Sequence, residues 1–499
     1  MSAQTTETVT PDSINEEFAK ACPRMTPELQ NQIESFQQAI YFKLTEHDKP
    51  IPSMIADYIQ TQSELFLHTL RDTDEIYRYD EPSGCWRPDG EPRIKQFVKE
   101  LVQKFPNIIR QLSTHKMYEV IHHIRWGSYV DRPFFVPPED YICLRNGVLN
   151  LKTGELKQHS PSYGFLNQIP VTYDPNAKCE NIDAFLTEVA PKYKDTLYDL
   201  LGYCLTSGNK MQRALLLIGY GSNGKSTFLN LAKTFLGPQN ISARGLQELT
   251  ENRFAVADLF GKLANIYADL PSRPVYDLGK FKAVTGGDTV TGEHKFAKEF
   301  VFENGAKLIF SCNILPESKD DSDAFYRRWI LIPFTKTIEN EDKDYIKKLT
   351  TDLELSGLLN QVIVARKRLL ERGGFDDDKD VDIKRRLYNK LSDPITSFID
   401  DFVEFVDQKE APVVKQLVFQ EFQKYAKAKR YGQVYSQRTF FKTFMEKAPV
   451  GSISDTWVSE KDEDGKVIAT HRVYRGIRLL LVDPSKIQPS LDDFDKGDA

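Results

Sequence analysis

A short apolar strand, a glycine-rich loop and a helix constrain this chain more than any other feature. They form the segment ALLLIGYGSNGKSTFLNLAKTFLG at residues 214–237. Its loop has the pattern G-x-x-x-x-G-K-S, in which backbone N–H groups and the start of the helix converge on phosphate oxygens. In this pattern Lys225 reaches the β- and γ-phosphates and the Ser226 hydroxyl binds Mg²⁺. The alternative is an ordinary glycine-rich turn, but the strand–loop–helix context predicts a nucleoside triphosphate site. The residues predicted to contact the nucleotide are Gly219, Gly221, Ser222, Asn223, Gly224, Lys225, Ser226 and Thr227.

Two polar residues end the next apolar strands along the chain. Asp269 ends KLANIYAD, 44 residues after Lys225, and Asn313 ends AKLIFSCN another 44 residues on. An acid at the carboxyl end of a parallel strand can hold Mg²⁺ and its water, and an amide there can orient the attacking water. The alternative is that both are turn residues, since Pro271 and Pro316 follow. One acid stands where many ATPases have two, so the residue that activates the water stays open.

Composition and charge limit the class of protein. The 499 residues are 40% hydrophobic and 28% charged with a net charge of −6, which fits buried cores and excludes a uniformly basic nucleic-acid coat protein. There is no run of 18 apolar residues, and the N-terminal segment lacks the features of a secretion signal. The six cysteines include no C-x-x-C pair, which favours a reducing compartment. We expect a cytoplasmic protein without a membrane partner.

Several long segments resemble one known family. They are YICLRNGVLNLKTGEL, LGYCLTSGNKMQRALLLIGYGSNGKST, FKAVTGGDTVTGEHKF, KLIFSCNILPESKDDSDAFYRRWILIPF and RVYRGIRL. With the phosphate loop, Asp269, Asn313 and Arg328 inside 110 residues, they resemble the phage and plasmid DNA primase–helicases, a family that includes the poxvirus-type replicative NTPases. The resemblance covers roughly residues 70–480. It implies an α/β fold whose AAA+ core, of the superfamily 3 helicase type, binds ATP and Mg²⁺.

The resemblance also implies a homohexameric ring, in which an arginine of one subunit reaches the ATP held by the next. Arg328 is the candidate for this arginine finger, and Arg327 is the runner-up. The alternative is a salt bridge to Asp320, Asp321 or Asp323. If Arg328 serves a neighbour, it should lie at the surface of a lone subunit, away from its own Lys225.

The segment between Asp269 and Asn313 has the pattern of a β-hairpin. Two β-patterned runs, TVTGEHKF and EFVFE, follow Gly286-Gly287. In superfamily 3 rings a hairpin here projects into the central channel, where lysines contact phosphates and an aromatic ring stacks on a base. The alternative is a solvated hairpin with ordinary surface lysines. The residues of this chain in that position are His294, Lys295, Phe296 and Lys298.

Residues 392–482 predict a winged helix. Two amphipathic helices, VVKQLVFQEFQKYAKAKR and SQRTFFKTFMEKA, precede a hairpin that turns at residues 464–465. Ser436 is a candidate N-cap of the second helix, whose Arg438 and Lys442 would enter a DNA groove. Residues 412–480 contain 13 basic and 7 acidic residues, which fits duplex DNA, although winged helices also mediate protein contacts. A predicted phosphate-binding cluster consists of Lys424, Lys427, Lys429 and Arg430.

The chain is expected to divide into six segments. They are a disordered lead-in (1–25), a mainly helical N-terminal region with β-hairpins that serves as a collar or in oligomerisation (26–205), the AAA+ core (206–340), a helical linker or lid (341–391), the winged helix (392–482) and an acidic tail (483–499). No primase site is visible in the first 135 residues, so priming is expected from a separate primase or polymerase, or is absent.

Three functions fit these features. The first is an ATP-dependent replicative helicase of a virus, plasmid or other mobile element, which moves 3′ to 5′ on single-stranded DNA and acts on forked DNA. The second is a DNA-binding initiator or loading platform that uses ATP mainly to assemble, and the single acid at Asp269 keeps this hypothesis open. The third is a duplex translocase that does not separate strands.

Overall fold

The structure is a computed structural model. It describes residues 52–61, 66–104, 113–206, 208–219, 223–271, 273–275, 278–313, 315–316, 318, 322–336, 338, 344–376, 378–429, 435–461 and 467–484. The predicted lead-in over residues 1–25 lies outside these ranges, as does the predicted acidic tail apart from its first two residues. The architecture is a mixed α/β fold, as the sequence predicts.

The first module is a four-stranded sheet packed against helices. Strand order is β3-β2-β1-β4, with β1 antiparallel to β2 and parallel to β4. The third helix begins where Ser113 accepts a hydrogen bond from the backbone N–H of Lys116, which satisfies one of the free donors of the first turn. The elements are α1 (Pro52–Thr61), β1 (Leu67–Leu70), β2 (Ile76–Asp80), β3 (Cys85–Arg87), α2 (Gly90–Lys104), α3 (Thr114–Gly127) and β4 (Tyr129–Val130).

A small antiparallel sheet and two helices lead into the core. Strand β6 pairs with both β5 and β7. The helices are separated by a 3₁₀ turn at Pro191–Tyr193, since proline lacks the N–H that a continuous helix needs. The elements are β5 (Tyr141–Leu144), β6 (Gly147–Asn150), β7 (Leu156–Lys157), α4 (Glu180–Val189) and α5 (Lys194–Cys204).

The centre of the molecule is a parallel five-stranded sheet with the order β14-β8-β13-β10-β9. Strand β8 is wholly buried, because Leu215 and Leu217 face one core cluster while Leu216 faces the other. A parallel strand covered on both faces needs such a continuous apolar run. The elements are β8 (Ala214–Ile218), α6 (Lys225–Leu236), β9 (Ile241–Ser242), α7 (Leu246–Glu251), β10 (Ala264–Tyr267), α8 (Leu278–Gly286), β11 (Thr289–Gly292), β12 (Phe300–Glu303), β13 (Lys307–Cys312), α9 (Asp323–Tyr326) and β14 (Trp329–Pro333).

Three helices follow the sheet, and the last of them packs against it. Tyr388 is fully buried beside Phe325 and Trp329, with ring centroids 5.2 and 6.3 Å away. The helices are α10 (Tyr345–Leu349), α11 (Asp352–Arg372) and α12 (Val381–Ser392).

The C-terminal module has its own aromatic core of helices and strands. Phe422 and Phe440 stack at 4.6 Å, and Phe398 packs on both. Strands β17 and β18 form the predicted long hairpin, although its turn lies outside the described residues. The elements are α13 (Pro394–Phe402), β15 (Val403–Phe405), β16 (Val413–Val414), α14 (Lys415–Ala428), α15 (Gln437–Lys447), β17 (Ser454–Lys461), β18 (Val467–Arg475) and β19 (Ile477–Leu479).

Candidate functional site

The glycine-rich loop lies between the carboxyl end of β8 and the start of α6. Gly224 has φ +86°, and a Cβ at this position would lie 2.7 Å from Val189 Cγ1, so both conformation and space require glycine. A Cβ at Gly219 would lie 2.7 Å from the carbonyl oxygen of Phe334. The predicted contact residues Gly221 and Ser222 lie outside the described residues.

Lys225 is the first residue of α6 and is buried, with 5% of its surface exposed. Its Nζ donates to the carbonyl oxygen of Gly219, to Asn223 Oδ1 at 3.2 Å and to Asn313 Oδ1 at 3.5 Å. Burial lowers the pKa of Lys225 to about 8, because desolvation disfavours the charged form, and this outweighs the opposing effects of Cys312 and Asp269. The fold therefore brings together Lys225 and Asn313, two residues predicted separately from the sequence.

A second lysine, Lys307, is buried in a similar way, and burial lowers its pKa to about 7. Lys307, at the start of β13, donates to the carbonyl oxygens of Thr206, Gly208 and Gly305 at 2.9, 2.6 and 2.7 Å. Its Nζ also lies 4.8 Å from the ring centroid of Tyr203. Lys307 lies at the amino end of its strand, whereas Lys225 lies beyond the carboxyl end of β8, where ligands of open parallel sheets bind.

Asp269 follows β10 and is exposed at the carboxyl edge of the sheet. Its φ is +56°, an uncommon conformation for a non-glycine residue, and its backbone N–H donates to Ser311 Oγ at 3.3 Å. Ser226, in the first turn of α6, is exposed, and Thr227 is half-buried. The carboxylate and the hydroxyl therefore both follow strands of one sheet at the same edge.

These residues fit a bound ATP with Mg²⁺. The backbone N–H groups at the start of α6 suit phosphate oxygens, and Lys225 carries a buried positive charge that an anion would stabilise. Among the described residues no group of three or more His, Cys, Asp or Glu side chains could hold a metal by itself. Mg²⁺ does not require such a cage, because it is commonly bound by one or two carboxylates and the phosphates of the nucleotide.

Arg328 is buried, with 6% of its surface exposed, so the prediction that it lies at the surface was wrong. Its guanidinium donates to Thr285 Oγ1 at 2.9 Å, to the carbonyl oxygen of Ala324 at 2.5 Å and to that of Lys282 at 3.4 Å. Burial lowers its pKa from the ordinary arginine value. Arg327 is the exposed member of the pair, and its catalytic role, like that of Arg328, stays a prediction.

The predicted hairpin between Asp269 and Asn313 is confirmed, since β11 and β12 pair antiparallel from Thr289↔Glu303 to Gly292↔Phe300. Its strands are shorter than predicted, because the backbone N–H of Ala297 turns back to the carbonyl of His294 and Phe296 has φ +66°. Phe296 is 96% exposed, and Lys295 Nζ lies 5.0 Å from its ring centroid. The loop thus presents an unburied aromatic ring and a lysine side by side.

The loop and strands of this hairpin contact the first module. Lys298 Nζ pairs with Asp74 at 2.6 Å. Arg132 packs against Phe260 and Phe300, 4.4 and 4.3 Å from their ring centroids. The sequence analysis missed Arg132, and no local signal would have found it, since Phe260 and Phe300 are far away in the chain.

The predicted DNA residues of the C-terminal module are only partly accessible. Arg438 and Lys442 are exposed on α15, and Ser436 is its N-cap as predicted, accepting from the N–H of Thr439. Lys429 is buried with 6% of its surface exposed, which corrects its placement in a phosphate-binding cluster. Lys424 pairs with Glu421 at 2.7 Å, and residue 430 lies outside the described residues.

Two family models and several viral proteins match parts of the chain. A family model described as "D5 N terminal like" matches residues 53–191, and one described as a family of unknown function (DUF5906) matches residues 217–328. A candidate helicase (L207/L206) of Acanthamoeba polyphaga mimivirus is 26% identical over 321 residues, covering 58% of this chain and 33% of that protein. The chain is therefore similar to the D5 N-terminal-like family over residues 53–191, and over part of its length to viral proteins named as helicases.

Another relative is a candidate helicase (121R) of Invertebrate iridescent virus 3, which is 26% identical over 287 residues and covers 50% of this chain and 29% of that protein. The chain therefore spans about a third of the length of the curated relatives it matches. The solved apo C-terminal region of NrS-1 aligns with a TM-score of 0.42 at 13% identity, covering 86% of this chain and 99% of that one. In the described parts of the chain, no helix is long and apolar enough to cross a membrane.

Proposed function

We propose that this protein is an ATP-dependent DNA helicase. The observation that supports this most directly is the meeting of Lys225 and Asn313 at the carboxyl edge of the parallel sheet, with Asp269 on a neighbouring strand. A cation for phosphates, an amide for the attacking water and an acid for Mg²⁺ are the parts that phosphoryl transfer to water needs. Bound Mg²⁺ would neutralise charge on the β- and γ-phosphates.

In the proposed site each residue has one task. Lys225 leaves its contacts with the loop and pairs with the β- and γ-phosphates, while Ser226 and Asp269 hold the metal and its water. Asn313, already within hydrogen-bond reach of Lys225, orients the water that attacks. The backbone N–H groups at the start of α6 stabilise the negative charge of the phosphates.

We propose that the core is of the AAA+ superfamily 3 type and works as a homohexameric ring. The parallel sheet, with the phosphate-loop strand between β13 and β14, supports this fold. Because Arg328 is committed to oxygen atoms of its own subunit, the exposed Arg327 is better placed to reach the ATP of a neighbour. A trans arginine would stabilise the charge of the transition state.

Arg328 then has a separate task, which is to connect the arginine pair to the DNA hairpin. Its guanidinium holds Thr285 and Lys282 in the last turns of α8. That helix ends at Gly286, and the hairpin strand β11 begins three residues later. A shift of the arginine pair on hydrolysis in the neighbour would therefore move the base of the hairpin.

The proposed DNA contacts are the loop of the β11–β12 hairpin and the C-terminal module. Phe296 is exposed for stacking on a base, and Lys295 lies beside it for phosphate contact. The helix–strand order of the C-terminal module supports a winged helix, with Arg438 and Lys442 of α15 towards duplex DNA. The viral relatives, which are named as helicases, support a role in viral or mobile-element replication.

ATP hydrolysis measured with and without single-stranded DNA tests the proposal. The wild-type protein should hydrolyse ATP, and an oligothymidylate should raise the rate. Lys225→Ala should lower the rate by at least about 10³-fold, because it removes the cation of the phosphate site. If Lys225→Ala leaves the rate of ATP hydrolysis unchanged, the proposed ATP site is wrong. If single-stranded DNA does not change the rate, the assembly platform is favoured over the helicase.

A further inference from the structure

One side of α3 presents a row of aromatic rings to solvent. Tyr118 and Trp126 are 58% and 60% exposed, although large rings are usually buried. The exposed rings recur at three- and four-residue spacing, which places them above one another on one side of the helix. The opposite side is buried in the core of the first module through Val120, Ile121 and Ile124. We call the exposed row the aromatic face, and its members are His115, Tyr118, His122 and Trp126.

The chemistry of the aromatic face differs from that of a face made for an apolar partner. Within α3, which the structure describes throughout, no aliphatic side chain is exposed. Each exposed ring has a polar edge as well as a π-face. The His122 ring lies 4.2 Å from that of Trp126, and Lys95 Nζ lies 5.9 Å from the ring of Tyr118. Rings next to cationic groups suit nucleic-acid bases, which have π-faces linked to phosphates.

The C-terminal end of α3 borders a basic cleft beneath the DNA hairpin. The cleft has a volume of about 800 Å³ and is lined by Arg125 of α3 and by His294 and Lys298 of the hairpin loop. Asp74 joins the two sides, because it accepts hydrogen bonds from Lys298 Nζ at 2.6 Å and from the Tyr129 hydroxyl at 2.8 Å. Five basic and three acidic residues line the cleft. Arg125 and Arg132 also pair with Glu91 and Asp72 outside the lining, at 2.9 and 2.8 Å, so a phosphate that binds here would replace a carboxylate partner.

Stacking on these rings requires single-stranded rather than duplex DNA. The His122 and Trp126 rings lie 4.2 Å apart, so a base would stack on their outer surface and not between them. In a duplex each base is already covered by its neighbours, so only unpaired bases that are separated from one another could contact the rings. Separated bases that stack on aromatic side chains are the usual mode of single-strand recognition.

We propose that the aromatic face of α3 is a stacking surface for single-stranded DNA. A strand held by the hairpin loop would then also contact the first module. The proposal rests on the proposed function, in which the hairpin loop holds the same strand. It assigns to α3 a contact with bases, and to Arg125 and the basic cleft a contact with the phosphates between the two surfaces.

Affinity for a fluorescently labelled 20-residue oligothymidylate, measured by anisotropy on the full chain without nucleotide, tests the proposal. Tyr118→Ala and Trp126→Ala should each weaken binding about five- to hundredfold, the range expected for loss of one base–aromatic stack. Trp126→Phe keeps a π-face and should retain most of the affinity. Leu353→Ala, which truncates a 64% exposed side chain on α11, is the matched control and should change nothing.

Tryptophan fluorescence gives an independent readout at the same surface. Trp86 and Trp329 are buried, and Trp457 in the C-terminal hairpin is exposed, so Trp457→Phe leaves Trp126 as the one exposed indole. The oligothymidylate should quench this protein, since a base would stack on Trp126. Unchanged emission at saturating DNA contradicts the proposal.

Other outcomes separate this inference from the proposed function. If Phe296→Ala weakens binding while the α3 variants do not, the aromatic face is not a DNA surface and the hairpin assignment stands. If the α3 variants weaken binding and Phe296→Ala does not, the face binds DNA and the hairpin assignment fails. A loss of affinity in Trp126→Ala that comes with a change of particle mass in light scattering makes α3 a subunit contact and overturns the stacking surface.

Discussion

The side chain of Lys225 defines the chemistry of the site at the scale of a single residue. Without nucleotide, its ammonium is buried against the carbonyl of Gly219 and the amide oxygens of Asn223 and Asn313. These neutral acceptors do not compensate fully for lost hydration, so the pKa of Lys225 falls to about 8. A triphosphate is a far stronger partner, and its arrival should restore a normal or raised pKa.

This difference predicts that nucleotide affinity depends on pH. Binding requires the charged form, so above pH 8 the free protein must take up a proton, and affinity for ATP with Mg²⁺ should fall by up to about tenfold per pH unit. Below pH 8 the affinity should level off, because Lys225 is already charged. Calorimetric titrations at pH 7, 8 and 9 measure both the affinity and the protons taken up.

Lys225→Arg is the control, because arginine stays charged throughout this range. Its affinity, although lower, should vary little between pH 7 and 9. If wild-type affinity is also flat over this range, or if the arginine variant shows the same decline, Lys225 does not have the lowered pKa.

At the scale of the element, the sequence predicted what is encoded locally. Strand β8 and helix α6 follow from an apolar run, a glycine loop and helical spacing, and the β11–β12 hairpin follows from the pattern after Gly286-Gly287. The phosphate-loop lysine and Asn313 could be placed together because the carboxyl ends of parallel strands meet at one edge.

Contacts between distant segments account for the errors. Arg328 was expected at the surface because it was assigned to the ATP of a neighbouring subunit, but it is buried and bonds to Thr285, 43 residues away on α8. Lys298 pairs with Asp74, 224 residues away. Hydrophobic spacing cannot reveal such pairs, because a charged residue has the same pattern whether it faces solvent or a partner from another element.

Substitutions of Arg327 and Arg328, at the junction of α9 and β14, should have separate effects on stability and on catalysis. Arg328→Ala should lower the free energy of unfolding by about 1–3 kcal/mol, because the oxygen of Thr285 and the carbonyl of Ala324 lose a buried donor. Arg327→Ala should change it by less than about 0.5 kcal/mol, since the side chain is exposed. Arg327→Ala should nevertheless reduce ATP hydrolysis by about 10³-fold or more. Denaturant unfolding and ATPase rates measure the two effects.

Mixing subunits tests whether the arginine acts across an interface. Arg327→Ala subunits mixed with Lys225→Ala subunits should recover hydrolysis, because some interfaces then combine an intact phosphate loop with an intact arginine. If no ratio exceeds the activity of either variant alone, the trans role loses its support. If Arg328→Ala is fully stable and inactive while Arg327→Ala is active, the finger is Arg328.

At the scale of the whole molecule, the first module, the core and the hairpin are mechanically connected. Lys298 joins the hairpin loop to Asp74, Arg132 packs on Phe300 of β12, and Arg328 holds the helix that leads into the hairpin. The proposed ATP site and the proposed DNA contacts are therefore linked through packed elements. ATP hydrolysis and movement of DNA strands should therefore occur together.

Strand displacement from a forked DNA substrate tests most directly whether ATP hydrolysis is coupled to the movement of DNA strands. The wild-type protein should release the labelled strand with ATP and Mg²⁺, and release should stop with a non-hydrolysable ATP analogue or in Lys225→Ala. Leu353→Ala serves as a control that should behave as wild type. Unwinding that persists in Lys225→Ala, or its absence in a wild-type protein whose ATP hydrolysis is stimulated by DNA, would contradict the account.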